Sequence, residues 1–204
     1  MFVVVFVSFG LISCFFSSPG AEASAGDYSR PYQSCVSQCF QRVCSSDSAL
    51  ANFAAKQPLH ERLLVWSCRD ECKYQCMWTA VDAFHSQGLR TPQFHGKWPF
   101  VRWMGVQEPA SAIFSVLNLA SHAIKLRQLV RQIPPATPMF RVWTMYALIC
   151  MNAWVWSTVF HTRDTPFTEK MDYFGAFSLV VTSFIAFVCR AFGPGLNWRT
   201  LIGS

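Results

Sequence analysis

Charged side chains are scarce in this sequence: they make up 14% of its 204 residues, whereas hydrophobic residues make up 52%. This composition excludes a disordered chain and indicates a membrane protein with a small soluble part. Asn-x-Ser/Thr sequons are absent, so we expect no N-linked glycans. The net charge of +6 does not indicate nucleic-acid binding, because the basic residues are scattered among aromatic residues and the flanks of apolar segments.

The extreme N-terminus lacks the Lys or Arg that usually precedes the apolar run of a signal peptide. Residues 1–16 are nevertheless apolar, and Ala21 and Ala23 form an A-x-A-like cleavage site. We therefore predict a signal peptide over residues 1–23, with an uncleaved signal anchor as the alternative. In either case the following segment enters the lumen of the secretory pathway.

Six of the nine cysteines lie between residues 35 and 76, in the patterns C-x3-C-x4-C and C-x3-C-x3-C. A spacing of four places cysteines on one helical face, so two short antiparallel helices could be joined by nested disulfides. Many connectivities are open, and a zinc site competes with disulfides, although C-x2-C spacing is absent and the compartment is oxidising. The nested pairs would be Cys35–Cys76, Cys39–Cys72 and Cys44–Cys68.

Residues 91–108 mix Trp98 and Trp103 with Lys97 and Arg102, which is typical of a belt at a membrane interface. We therefore predict that residues 24–108 form a lumenal cysteine-rich segment and interfacial belt. Residues 109–204 form a transmembrane region with three spans, at about 110–129, 139–160 and 173–189. Each span is close to the ~20 residues that a bilayer requires.

One face of the first span carries small polar residues at steps of four, three and four: Ser111, Ser115, Asn118 and His122. This stripe either holds helices together by hydrogen bonds or lines a substrate cavity. We expect His122 to lie towards the cytosolic end, about a bilayer away from His161.

The end of the second span and the start of the third carry a candidate site. Ser157 and His161 are four residues apart and share one helical face, and Asp172 follows across a polar loop. A neutral imidazole binds zinc well, a carboxylate can hold and deprotonate a water, and a hydroxyl can stabilise an oxyanion. The alternative is that these residues are interfacial, with Asp172 only favouring a helix N-terminus.

Several separate segments carry a resemblance to a known family: CRDECKYQCMW, FHGKWPF, QEPASA and NAWVWSTVFHTRDTPFTEKMDYF. Together they resemble the post-GPI-attachment to proteins factor three (Per-like) family, and Ser-x-x-x-His with a later Asp is similar to the wider CREST superfamily of membrane hydrolases. The resemblance implies an all-α membrane protein. It would have a lumenal disulfide-rich helical segment followed by three transmembrane helices of a seven-helix bundle.

The resemblance also implies an activity on glycosylphosphatidylinositol (GPI) anchors in the endoplasmic reticulum or Golgi membrane. The family removes the sn-2 acyl chain of GPI-anchored proteins by a zinc-dependent, phospholipase A2-type hydrolysis. Carried over, His161 would be a metal ligand, Asp172 would hold or deprotonate the water on the metal, and Ser157 would assist the oxyanion.

One part of the family pattern is missing, the His-x-x-x-His pair of a late helix. Because a catalytic zinc site needs about three protein ligands, we expect the sequence to be incomplete at its C-terminus and inactive as written. A non-catalytic membrane protein whose lumenal disulfide-rich segment binds a partner is the alternative.

The distribution of basic residues predicts the topology. Lys125, Arg127, Arg131 and Arg141 flank residues 130–138, so this connection should be cytosolic and residues 162–170 lumenal. A cysteine placed at Thr165 should react with a membrane-impermeant reagent only after the lumenal face has been opened. Labelling of that cysteine in cells whose cytosol alone is accessible would invert this topology.

Overall fold

The computed structural model describes residues 24–192, so the predicted signal peptide lies outside the described residues. Within them the chain forms seven α-helices, and the only β pairing is two isolated bridges. The described residues divide into two compact units. The first contains the described chain up to Pro58 and Val65–Pro99, and the second contains Leu59–Leu64 and the chain from Phe100 onward.

The helices are α1 (Arg30–Val43), α2 (Asp47–Lys56), α3 (Leu59–Leu63), α4 (Cys68–Ser86), α5 (Pro109–Gln132), α6 (Phe140–Thr162) and α7 (Pro166–Phe192).

The first unit is built on a ladder of disulfides that joins α1 and its C-cap residue Cys44 to α4. Its bridges are Cys35–Cys76, Cys39–Cys72 and Cys44–Cys68, the pairs that a nested antiparallel arrangement predicts. The Cα–Cα distances, 5.6, 5.7 and 5.9 Å, show that the two helices keep a constant separation over all three bridges. The bridges supplement a hydrophobic core too small to stabilise such a short segment alone.

The core of the first unit lies beside this ladder. Phe94 packs against Tyr32 with ring centroids 5.1 Å apart, and Ala80 and Val81 of α4 are buried with them. Burial and, secondarily, the Asp27 carboxylate raise the pKa of Tyr32 to about 12, so its phenol stays protonated. The Tyr32 hydroxyl and Nε2 of His95 lie 3.1 Å apart and share a hydrogen bond, which gives His95 a structural role.

The second unit contains the three long helices, and α6 packs against both α5 and α7. The predicted spans correspond to these helices, but α7 begins earlier than the third span, at Pro166 rather than near residue 173. Proline is favoured at the first position of a helix, and Thr165 and Thr168 exchange backbone-to-hydroxyl hydrogen bonds of 2.8 and 3.2 Å around this start. The polar loop expected between the second and third spans therefore consists only of residues 163–165.

Of the described helices, only α7 is long and apolar enough by composition to cross a membrane. Large apolar side chains of α7 point outward, including Val180, Phe184 and Phe187. The structure shows α5 and α6 as long helices, but neither is apolar enough by composition to be identified as a membrane span in this way. Both carry polar side chains within their apolar sequence, and these lower the mean hydropathy.

A close approach between α6 and α7 occurs at Gly175. A Cβ atom at this position would lie 3.1 Å from the Cα and 3.4 Å from the Cβ of Ala153. Small residues allow such backbone contact between helices. The register of α7 against α6 is therefore set where Gly175 meets Ala153.

The disulfide ladder can be tested by mass mapping without reduction. We expect three bridges with the connectivity of the structure, while Cys150 and Cys189, which are free and buried, become alkylated only after denaturation. These two thiols serve as the internal control for the chemistry. Free thiols between residues 35 and 76, or a different pairing, would contradict the ladder.

The contact at Gly175 predicts a steric effect of substitution. Gly175→Val should destabilise the second unit by roughly 1–3 kcal/mol, because the added side chain cannot fit against Ala153 without separating the helices. Ala176→Val is the matched control, since Ala176 is exposed on the same helix. Thermal unfolding in detergent measures both, and equal midpoints for the two variants would refute the close contact.

Candidate functional site

Ser157 and His161 lie one turn apart near the C-terminal end of α6, and both are partly buried. Both positions follow Ala153, which faces α7, at steps of four. Residues at this spacing share one helical face. The sequence-predicted pair is therefore presented on a packed face of the central helix of this unit.

The imidazole of His161 is held by a carboxylate from the start of α5. Its Nδ1 lies 2.8 Å from Oε2 of Glu108, and the two side chains are 23% and 11% exposed. A carboxylate can only accept, so Nδ1 carries the proton and donates it to Glu108. In the neutral ring the lone pair is then on Nε2.

Ser157 is engaged by the polar stripe of α5. Its Oγ lies 3.0 Å from Oγ of Ser115, which is buried, and Ser115 itself donates to the carbonyl of Ser111 at 2.9 Å. A hydroxyl has one proton, so the proton between the two serines comes from Ser157. In this state Ser157 presents lone pairs to its surroundings, and donation to an oxyanion requires its hydroxyl to rotate away from Ser115.

Asp172 lies inside α7, in its second turn, rather than at the start of the helix. It is three residues before Gly175, so it shares the side of α7 that contacts Ala153. Because α6 and α7 are joined by only three residues, the two helices run in opposite directions. Counting from the contact between Gly175 and Ala153, a position three residues earlier on α7 lies beside a position about three residues later on α6. Asp172 therefore lies at about the depth of Ser157, roughly one turn from His161.

His122 lies closer to the site than the sequence indicates. Its ring is 6.3 Å from that of Trp154, which is seven residues before His161 on α6. At 1.5 Å per residue this is about 10 Å of helix, so the predicted separation of a bilayer's thickness, about 30 Å, is wrong. Nδ1 of His122 donates a hydrogen bond of 2.9 Å to the backbone carbonyl of Asn118, one turn earlier on α5. The contact of this nitrogen is therefore within its own helix and not with His161.

Glu108 was not predicted as a site residue, because residues 91–108 were interpreted as an interfacial belt. The available signal was its position, a carboxylate directly before Pro109, at the start of a predicted span that begins on the same side of the membrane as His161.

The cysteine ladder is not a metal site. In the described part of the chain, Cys44, Cys68 and Cys72 form the only cluster of three potential metal-binding donors. Their sulfurs belong to the bridges Cys44–Cys68 and Cys39–Cys72, so they cannot act as thiolate ligands. The zinc alternative for these cysteines is therefore disfavoured by their pairing.

Comparisons with known proteins assign the family. A sequence model described as the Per1-like family matches residues 58–201. The chain is 46% identical over 173 residues to a Mus musculus protein named GPI-specific phospholipase A2-like PGAP3, which covers 85% of this chain and 54% of that protein. It is 44% identical over 184 residues to the Homo sapiens protein of the same name, covering 90% and 57%.

A more distant relative comes from Drosophila melanogaster, named Post-GPI attachment to proteins factor 3. It is 42% identical over 172 residues, covering 82% of this chain and 53% of that protein. The chain thus spans about half the length of the curated relatives it matches. No solved structure matches it. The family model covers well over half of the sequence and the relatives agree with it, so the chain belongs to the Per1-like family.

Proposed function

We propose that this chain supplies one part of the site of a membrane hydrolase that remodels GPI anchors, removing the sn-2 acyl chain from GPI-anchored proteins. The observation that carries the proposal is the arrangement of Ser157 and His161 on a packed face of α6, with Asp172 of α7 at a similar depth. The names of the relatives, which describe a GPI-specific phospholipase A2-like protein, support the substrate class.

The residues present fit one ligand position of a zinc site. Nδ1 of His161 is taken by Glu108, so Nε2 is the nitrogen that can bind a metal. Two further histidines of the family's His-x-x-x-His pattern are the additional ligands that the proposal requires, since a catalytic zinc has about three protein ligands. When bound, zinc would lower the pKa of a water towards neutrality.

The residues of this chain would then perform three tasks in ester hydrolysis. His161 would hold the metal through Nε2, and Asp172 would accept the proton that the attacking water loses. Ser157 rotates its hydroxyl from Ser115 towards the developing oxyanion and donates a hydrogen bond to it. The proton held by Asp172 can afterwards pass to the leaving alkoxide of the glycerol backbone, which completes the hydrolysis.

The topology supports a lumenal substrate. The basic residues around 130–138 indicate that this connection is cytosolic, so the ends of α6 and α7 that carry the site would face the lumen of the endoplasmic reticulum or Golgi. In this proposal α5 and α6 also span the membrane, with their polar residues turned towards the bundle. Intramembrane polar residues ordinarily face a bundle interior or a cavity in this way.

The experiment uses the protein in its complete natural form, expressed in cells that lack this remodelling step. Release of the sn-2 fatty acid from GPI-anchored proteins is measured. We expect His161→Ala and Asp172→Ala to abolish release, and Ser157→Ala to reduce it roughly ten- to a thousandfold, the range for loss of an oxyanion donor.

Matched controls come from α4, in the first unit. His85→Ala and Asp82→Ala remove the same side chains from exposed positions and should leave release unchanged. Full activity of the His161→Ala protein would contradict the hydrolase proposal. It would favour the alternative of a non-catalytic membrane protein whose disulfide-rich segment binds a lumenal partner.

A further inference from the structure

The side chain of Glu108 is an almost buried carboxylate that contacts the site histidine. Its Oε2 lies 2.8 Å from Nδ1 of His161, and the side chain is 11% exposed. Burying a carboxylate is unfavourable unless a donor compensates it. The imidazole N–H is one such donor, and the contact couples the positions of the two side chains.

Capping of α5 does not account for the position of this side chain. Glu108 is the N-cap residue of α5, where a side-chain oxygen can accept hydrogen bonds from the first turn. Its side chain makes no such cap hydrogen bond. It reaches instead to the end of α6, 53 positions later in the sequence.

Backbone hydrogen bonds hold Glu108 and His161 in register. The N–H of Glu108 donates to the carbonyl of His161 at 2.9 Å, and the N–H of Gln107 donates to the carbonyl of Thr162 at 3.0 Å. In addition, Oε1 of Gln107 accepts from the N–H of Asp164 at 3.1 Å. We call this set of contacts the 107–108 clasp. It fixes the backbone that carries the carboxylate to the backbone that carries the imidazole.

We infer that Glu108 is the positioning residue of His161. Its carboxylate holds the proton on Nδ1, directs the lone pair of Nε2 into the site and prevents the ring from rotating about its χ2 bond. This inference rests on the proposed function in one respect, the binding of zinc by Nε2. A carboxylate that receives the second ring N–H of a zinc-binding histidine also raises the basicity of that ligand.

A purely structural contact between α5 and α6 would behave differently. In that case Glu108 and Gln107 would contribute only to the attachment of the two helices, and loss of either would reduce stability alone. The positioning role adds two effects that Gln107 does not share: the ring tautomer of His161 and the metal affinity.

The first measurement is the tautomer, observed by ¹⁵N NMR of histidine-labelled protein in its complete natural form, metal-free and at alkaline pH. The His161 signals are assigned by their loss in His161→Ala. We expect the Nδ1–H form in the unsubstituted protein, the Nε2–H form in Glu108→Ala, and the Nδ1–H form in the control Gln107→Ala.

The second measurement is zinc affinity by competition with a chelator on the same proteins. Glu108→Ala should lower it about ten- to a hundredfold, whereas Gln107→Ala should lower only the unfolding temperature. Glu108→Gln keeps the size and an acceptor oxygen but loses the charge. Glu108→Gln should therefore retain the Nδ1–H form but bind zinc more weakly. This variant tests the inference if Glu108→Ala does not fold.

The outcomes separate this inference from the proposed function. A Glu108-dependent tautomer in a protein that binds no zinc would support the positioning role and overturn the zinc site. An Nε2–H ring in the unsubstituted protein would overturn the inference. So would a zinc affinity that is unchanged in both Glu108→Gln and Glu108→Ala.

Discussion

The last carbonyl groups of α6 have no partners within their own helix, and the second unit depends on how they are satisfied. A helix end leaves such acceptors open, and burying them without donors is unfavourable. The chain before α5 supplies the donors, through the backbone N–H groups of Gln107 and Glu108. The same contact that completes the helix end also brings a carboxylate to the ring of His161.

The middle position of α6 follows from small side chains on its neighbours. Gly175 lets the backbone of α7 approach Ala153, and Ser115 of α5 is buried with its hydroxyl against Ser157. Close approach and interhelical hydrogen bonds are the main sources of helix association where the surroundings are apolar. Ser115 therefore both attaches α5 to α6 and contacts the site serine. The structure thus supports helix contact by this residue of the stripe, whereas cavity lining by the stripe stays a prediction.

The first unit solves a different physical problem. Between Ser24 and Pro99 its buried hydrophobic residues are few, and three disulfides connect α1 to α4 across its length. Cross-links restrict the unfolded chain and so stabilise a segment with a small core. Tyr32, His95 and Asp27 add a polar cluster that ties the start of the described chain to the turn at residues 94–97. This cluster explains a histidine that has no part in the proposed chemistry.

Features that depend on local spacing could be predicted from the sequence. Ser157 and His161, four residues apart, must share a helical face, and the cysteine spacing is compatible with two helices joined by nested bridges, although it left other connectivities and a zinc site open. The groups that these residues meet depend on the packing of the helices. Glu108 contacts His161 from 53 positions away and Ser115 contacts Ser157 from 42 positions away. The depth of Asp172 depends on the contact between Gly175 and Ala153. No local pattern encodes such pairings, because they arise from the way three helices pack and from the need of buried donors and acceptors to find each other.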